Sequence, residues 1–517
     1  MIRPRIAIAV PTSHFLRWHE RLRDSLAARW PAAEITFRFS RVDVPQAPSV
    51  MRLIAMERRL IRRGAPTLCD RLEPPSNQSP DAAADIVIDL AGDQTGAGEI
   101  VLRPLCDGHP TDQAAVAALL SHRAPGLAVE DAGTGAIVAE GLPSLEGADC
   151  LVSGLEAVYS RVAALLEKAV ANPRQRLSPV APVAQSPAAP LAYLLRNVAF
   201  QCGRALYHLC CHSPHWRVGW RFTQGPGVLE TGAIGGGPWR IMDDRDMDFA
   251  ADPFPIEWRG RQGVFYERLD YRTNLGEIWY QPFDETGPAG RPVPAITEPW
   301  HLSYPFLIEE DGVLYMLPEA SASGAVTLYR CVSFPDKWEP VARLLDGVEA
   351  ADATIFRHDG RYWMTSVVRQ GVGGYSDTLA LHHAKSLFGP WEAHARNPVI
   401  IDSRFARPAG AVVATPTGVY RPAQDCSEGY GMAMTIMRID RLDPETFAQS
   451  CVSRISPGPA WPGARLHTIN RCGQLECIDG AIFAPKYLPL RRLTQDYIDR
   501  RRQPSDDAAR PCGFLAN

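Results

Sequence analysis

"SYPFLIEEDGVLYMLPEAS" (residues 303–321) decides the fold. An apolar run reaches a turn at Asp311-Gly312, and a second run ends on a carboxylate, Glu319. Asp-Gly between two apolar runs is a strong β-hairpin signal. Four more segments share the layout: "ADPFPIEWRGRQGVFYERLD" (251–270), "DATIFRHDGRYWMTSVVR" (352–369), "RPAGAVVATPTGVYRPAQDC" (407–426) and "HTINRCGQLECIDGAIF" (467–483). Each has polar residues, an apolar run, a Gly-containing turn and a second run. The starts lie roughly 50 to 60 residues apart, a period that suggests propeller blades of four strands. "LGEIWYQPF", "AVTLYRC" with "WEPVARLLD", "LALHHAKS" with "WEAHA", and "YGMAMTIMRIDRL" supply the intervening strands.

In a propeller the innermost strand of each blade lines the channel. A polar residue at one place in every repeat therefore converges with its counterparts, and Asp252, Tyr304, Asp352, Arg407 and His467 are expected to form a ring. Arg407, Arg421, Gln424 and Asp425 surround the fourth hairpin. Two arginines facing a channel suit bidentate binding of phosphate or carboxylate. The alternative is an Arg421–Asp425 pair that ties two blades together. His467 and Asn470 offer further sugar or phosphate contacts. Trp258, Tyr266, Tyr304, Trp363 and Tyr430 lie near the motifs, where one or two could stack on a sugar and the rest are core.

The chain has 517 residues, enough for two or three domains. Its net charge of −4 gives no argument for an anionic membrane surface, and no nucleic acid is expected as partner. No apolar run reaches the length of a membrane span. The 12 cysteines show no zinc spacing, so no metal is expected and reduced thiols in a cytoplasmic protein are. Strand and helix signals alternate over residues 1–171, from "RIAIAVP" through the basic helix "SVMRLIAMERRLIRRG" and "ADIVIDLAG" to a long terminal helix. That pattern predicts an α/β layer with a largely parallel sheet. Residues 172–191 read as a linker or extended strap, 192–240 as a helical connector and loop, 241–490 as the propeller and 491–517 as a tail. "GAIGGGPWR" (232–240) reads as a loop over the channel mouth. Arg500 to Arg502 are candidates for peripheral contact with an acidic partner or lipid headgroups.

The elements "ADPF", "SYPF…DG…YMLPE", "DATIF", "SRFARPAG", "YRPAQDCSEGYG" and "HTIN" carry a resemblance. Residues 240–485 resemble the five-bladed β-propeller of furanosidase-type glycoside hydrolases. More closely, they resemble the N-terminal domain of plant glucosamine inositolphosphorylceramide transferases and of many bacterial proteins. In the plant proteins that domain is separate from the recognised glycosyltransferase domain. Residues 1–171 resemble a formyltransferase N-terminal domain, Rossmann-like in fold, through "RIAIAV", the basic helix and "DIVIDLAG". The formyl-transfer constellation is incomplete: His109 and Asp112 are present, but Gly108 stands where an Asn is usual.

Glycosyl transfer and hydrolysis both need a carboxylate on each side of the anomeric carbon. Carried over by motif position, the resemblance makes Asp252 the base, Asp352 the residue that tunes the acid and Glu319 the acid. The paired arginines favour a phosphorylated donor such as a nucleotide sugar, taken as substrate with no other cofactor. The expected activity is glycosyl transfer to a glycan or glycolipid acceptor in bacterial surface assembly. The alternatives are a furanosidase-like hydrolase and a non-catalytic glycan-binding propeller.

Overall fold

A computed structural model describes residues 4–42, 47–75, 84–94, 100–110, 112–185, 189–242, 248–458, 461 and 463–500. The chain divides into two compact units. One runs to Gly203 and takes in Gln370–Gly374; the other holds Arg204–Arg369 and continues from Tyr375.

The first unit is built on a six-stranded sheet. Glu34–Ser40, Arg5–Pro11, Ile86–Asp89 and Ile100–Cys106 run parallel in that order, and Leu127–Asp131 with Ala136–Gly141 adds an antiparallel hairpin at the edge. The sheet is therefore mixed, not largely parallel. The reason is local: in "VEDAGTGAIVAE" the Asp131 carboxylate accepts from the Gly133 N–H and the Thr134 hydroxyl, closing a turn too short for a crossover helix. Residues after the long helix Leu151–Ala171 form a strap. Its Leu177 N–H donates to the Ile137 carbonyl at 2.8 Å, and Leu177 and Val180 pack on Leu105, Ala128 and Ile137. A cavity of about 140 Å³ at the carboxyl ends of the parallel strands is lined by His14, Trp18, Asp112 and Tyr159 among others. Asp112 takes the Tyr159 hydroxyl at 3.2 Å and lies 3.5 Å from His14. His109 is turned instead to the Val183 carbonyl at 3.0 Å.

The second unit is a five-bladed β-propeller. The inner strands of blades one to three are Asp248–Trp258, Ser303–Glu310 and Ala350–His358. Blade four pairs Val413–Thr415, Gly418–Asp425, Ala433–Leu442 and Phe447–Ile455 in order. Blade five is made from both ends of the unit: Ile469–Cys472 and Leu475–Pro485 pair with Cys211–Phe222, which pairs with Arg240–Ile241. This corrects the reading of 192–240 as connector and loop. The alternation of Trp216, Val218, Trp220 and Phe222 is a strand signal with period two. The Gly-rich stretch is also not a flap. Trp239 is buried with Val228 and Ile234 against Met434 and Ile436, and its indole N–H donates to the Ile234 carbonyl. Ten of the described cysteines are free thiols.

Blade five also explains two glycines. Trp461 lies flat on the strand pair, and a Cβ at Gly219 or Gly480 would come within 2.2 or 2.0 Å of its ring. Gly219→Ala should overpack this seat and lower stability by about 1–3 kcal/mol, read as a fall of several degrees in the melting temperature. An unchanged melting temperature would show that Trp461 can move away freely.

Candidate functional site

Three first-strand residues share an unusual backbone. Asp252, Tyr304 and Asp352 have φ of +50°, +45° and +53°. Each also sits at a register shift against the second strand of its blade. A bulge with one left-handed residue re-aims that side chain out of the strand's alternation. Such a conformation is strained for a non-glycine residue, most of all for Tyr304, and persists only where surrounding contacts enforce it.

Those contacts cross between blades. The Asp252 N–H donates to Asp479 Oδ2 at 2.7 Å, and Asp252 Oδ1 accepts the Thr468 hydroxyl at 2.6 Å. Asp252 Oδ2 lies 3.3 Å from the Tyr304 N–H. His467 donates to or accepts from Asp479 Oδ1 through Nδ1 at 2.7 Å, and its Nε2 lies 3.9 Å from Asp252. Burial, with Asp479, Glu267 and Asp352 adding like charge, pushes the Asp252 carboxyl up to about 7 against the pull of His467. On the other side, Arg407 Nε donates to Asp352 Oδ2 at 2.6 Å and Gln424 Nε2 donates to the same oxygen at 3.2 Å. Burial and a hydrogen bond with Glu319 push Asp352 up to about 7 as well, opposed by Arg407. Asp352 and Glu319 share one guanidinium, Arg407, which lies 2.6 Å from the first and 3.8 Å from the second. Glu319 also accepts the Ser303 hydroxyl at 3.1 Å.

Not every expected contact residue faces this space. Tyr304 is fully buried, and its phenol bonds to Thr354 and takes the Gly410 N–H, each at 2.8 Å, tying blades two, three and four. Asn470 uses both ends of its amide on backbone, at Ala411 and Pro253. Arg421 donates to the Phe405 and Ala406 carbonyls and to Gln449, so it does not join Arg407 in a two-arginine clamp. Asp425 pairs with Arg454 at 2.6 Å, not with Arg421. Trp258, Tyr266 and Trp363 are core residues. Tyr430 alone of the five aromatics is partly exposed, with the Arg407 guanidinium 4.7 Å from its centroid. Its loop is held close by Gly431, with φ +60° and a virtual Cβ only 2.9 Å from both His467 and Trp216.

Three charged groups were missed. Glu267 in blade one occupies the register position of Glu319 in blade two: each pairs with the residue just before the ring residue, Ala251 and Ser303. Comparing second strands as well as first strands would have found it. His301 lies 3.2 Å from Glu267, whose carboxylate, with Glu319 and Asp252 adding, raises its imidazole to about 9. Asp479 is the third, visible in "CIDGAI" only once blade five is known to close there. Asp252, His467 and Asp479 could each offer one atom to a metal ion within 4.8 Å of the others. The Asp479–His467 hydrogen bond uses one ring nitrogen, which leaves Nε2 and Asp252 as donors, fewer than the four of a structural site.

Residues 242–477 match the sequence family described as "Glucosamine inositolphosphorylceramide transferase 1, N-terminal". The chain is 30% identical over 229 residues to glucosamine inositolphosphorylceramide transferase 1 of Arabidopsis thaliana, covering 43% of this chain and 30% of that protein. It is 30% identical over 233 residues to the namesake of Oryza sativa subsp. indica, covering 43% and 31%. The chain thus spans under a third of these relatives, which are plant proteins and lend no support to a bacterial setting. Among solved structures it is similar to Zg3597, a family 117 glycoside hydrolase of Zobellia galactanivorans, with 15% identity, 51% of this chain and 90% of that chain covered, and a TM-score of 0.33. It is also similar to the GH43 β-xylosidase/α-arabinofuranosidase CoXyl43 from a compost metagenome, with 14% identity, 48% and 94% covered, and a TM-score of 0.34. The matched family begins at residue 242, so it adds nothing to the formyltransferase-like expectation for residues 1–171.

The raised Asp252 carboxyl has a consequence for stability. Folded Asp252 keeps its proton up to about pH 7, whereas the unfolded group loses it near 3.8. The folded state therefore binds more protons between those values, and this contribution to stability is lost as pH rises through that window. Asp252→Asn should flatten the pH dependence and stabilise the protein at pH 8 by about 1–4 kcal/mol, each pKa unit being about 1.4 kcal/mol. Urea unfolding at pH 5 and pH 8 reads it; parallel curves for both proteins would contradict it.

Proposed function

We propose that the ring catalyses glycosyl transfer to a glycan or glycolipid acceptor. In this reading Asp252 takes the proton of the acceptor hydroxyl as that oxygen bonds to the anomeric carbon. The bond from the anomeric carbon to the leaving oxygen breaks, and Glu319 gives that oxygen its proton. Asp352, held by Arg407 and Gln424, is the partner that keeps Glu319 supplied. The observation carrying the reading is a buried carboxyl raised to about 7, suited to a base at neutral pH, in one ring with an Asp352 and a Glu319 that share Arg407. The acceptor class is supported by the name of the plant relatives.

Hydrolysis of a glycoside is the second reading, and one observation favours it. The arginines expected to hold a donor phosphate are engaged by Asp352 and by backbone carbonyls. The same acid and base serve either outcome, because water replaces the acceptor hydroxyl.

The test is to incubate the protein with nucleotide sugars and with aryl furanosides, each with and without a lipid and glycan extract, and follow every donor by mass spectrometry. Transfer predicts consumption of one donor that needs the extract; hydrolysis predicts release without it. Asp252→Asn should slow either by about 10²–10⁴-fold, the usual worth of a general base. Sugar binding that survives in the double variant Asp252→Asn, Asp352→Asn, with no donor consumed by the wild type, would make the propeller a binding module.

A further inference from the structure

Two helices reverse the usual rule that a surface helix turns its apolar face inward. The helix Pro190–Cys210 directs its polar Asn197 and Gln201 to the protein, where both amides donate to the Asp149 carbonyl. Its outward stripe is Leu191, Leu195, Val198, Cys202, Leu206 and Leu209, at helical spacing along a helix about 30 Å long. Leu195, Leu206 and Leu209 are 63, 64 and 73% exposed. The helix Leu488–Arg500 does the same. Arg491 and Gln495 are buried, while Leu490, Leu493 and Tyr497, at i, i+3 and i+7, are 50, 67 and 54% exposed. The two helices meet. The Lys486 N–H donates to the Cys210 carbonyl at 2.9 Å, and the rings of Tyr207 and the exposed Phe483 lie 5.6 Å apart. Within the second unit the end of the first helix, with Leu206 and Leu209, thus adjoins the apolar face of Leu488–Arg500.

We propose that this surface docks the protein on an anionic lipid membrane, lying in the headgroup region. Three observations choose that occupant. Pro190–Cys210 contains no acidic residue, and in the second unit Arg204, Lys486 and Arg492 are exposed on or beside the two helices while Asp496 is half-buried. Anionic headgroups complement that charge, whereas a two-fold dimer would bring copies of it together. Second, the apolar area spreads over two helices and is not confined to the single narrow seam of a coiled coil. Third, Tyr487 and Tyr497 are exposed, and such rings favour the level between headgroup and water. No helix among the described residues is long and apolar enough to cross a membrane, so the helices lie on it. The proposal is independent of the glycosyl chemistry.

The test is flotation of the full-length chain, without sugar, on vesicles of phosphatidylcholine alone or mixed with an equal part of phosphatidylglycerol. Wild type should float with the mixed vesicles and release as salt rises. The triple variant Leu206→Glu, Leu209→Glu, Leu493→Glu should lose at least about tenfold in bound fraction. Its melting curve should match wild type, since all three side chains are exposed. The pair Lys486→Glu, Arg492→Glu keeps the apolar faces and should weaken binding to the mixed vesicles alone. Wild type that floats with neither vesicle overturns the proposal. A wild-type dimer that the triple variant splits, without vesicle binding, assigns the surface to a second copy instead.

Discussion

The propeller depends on one strand pairing, Leu475–Pro485 with Cys211–Phe222, which joins segments from opposite ends of the unit. At its edge a buried ion pair, Arg221 to Glu476 at 2.8 Å, is completed by the Val228 N–H and the Gly235 carbonyl. Such a pair is costly to bury alone and strongly destabilising to break, so every remaining polar group must be satisfied. Here most are. The same strand carries Asp479, which accepts the N–H groups of Asp252 and Thr468 and orients His467. Closing the ring and positioning Asp252 and His467 are therefore one event.

The second constraint is charge in a closed space. Asp252, Glu267, Asp352 and Asp479 are buried, with Glu319 partly so, and they face three cationic or protonatable partners: His301, Arg407 and His467. Full ionisation of all five carboxylates would leave unbalanced negative charge in low dielectric, and Asp252 and Asp352 are the two raised toward neutrality. Desolvation is the largest cause of the rise at both Asp252 and Asp352, and each also has an opposing partner, His467 and Arg407.

The hairpin at residues 303–321 exposes its plan in sequence because turn chemistry, alternation and period all agree there. Blade five was less legible. Its first two strands repeat the motif, but its third precedes blade one by position and follows a helix, so reading forward assigns it to a connector. The edge hairpin of the first unit was hidden for a related reason: alternating β and α signals suggest a parallel sheet, and only the Asp131 turn reveals the antiparallel exception. In the site, the position of the ring residues was legible but not what each touches. Nothing in "RPAQDC" distinguishes an arginine aimed at a ligand from one capping two carbonyls in its own blade.

A repeat specifies a place, and chemistry at that place is decided by neighbours the repeat does not encode. Asp252, Tyr304, Asp352, Arg407 and His467 are equivalent by motif, yet Tyr304 is a fully buried tie between blades and His467 is stacked on Trp216 at 3.9 Å. Asp252 and Asp352 differ from these because each meets a second charged group of opposite sign together with a carboxylate of like sign. That combination holds a carboxyl near neutrality. The left-handed backbone at Tyr304 shows that the strained geometry belongs to the architecture of the ring and not to the two aspartates alone. Chemistry at these positions then needs only an aspartate on a bulge that the fold already enforces.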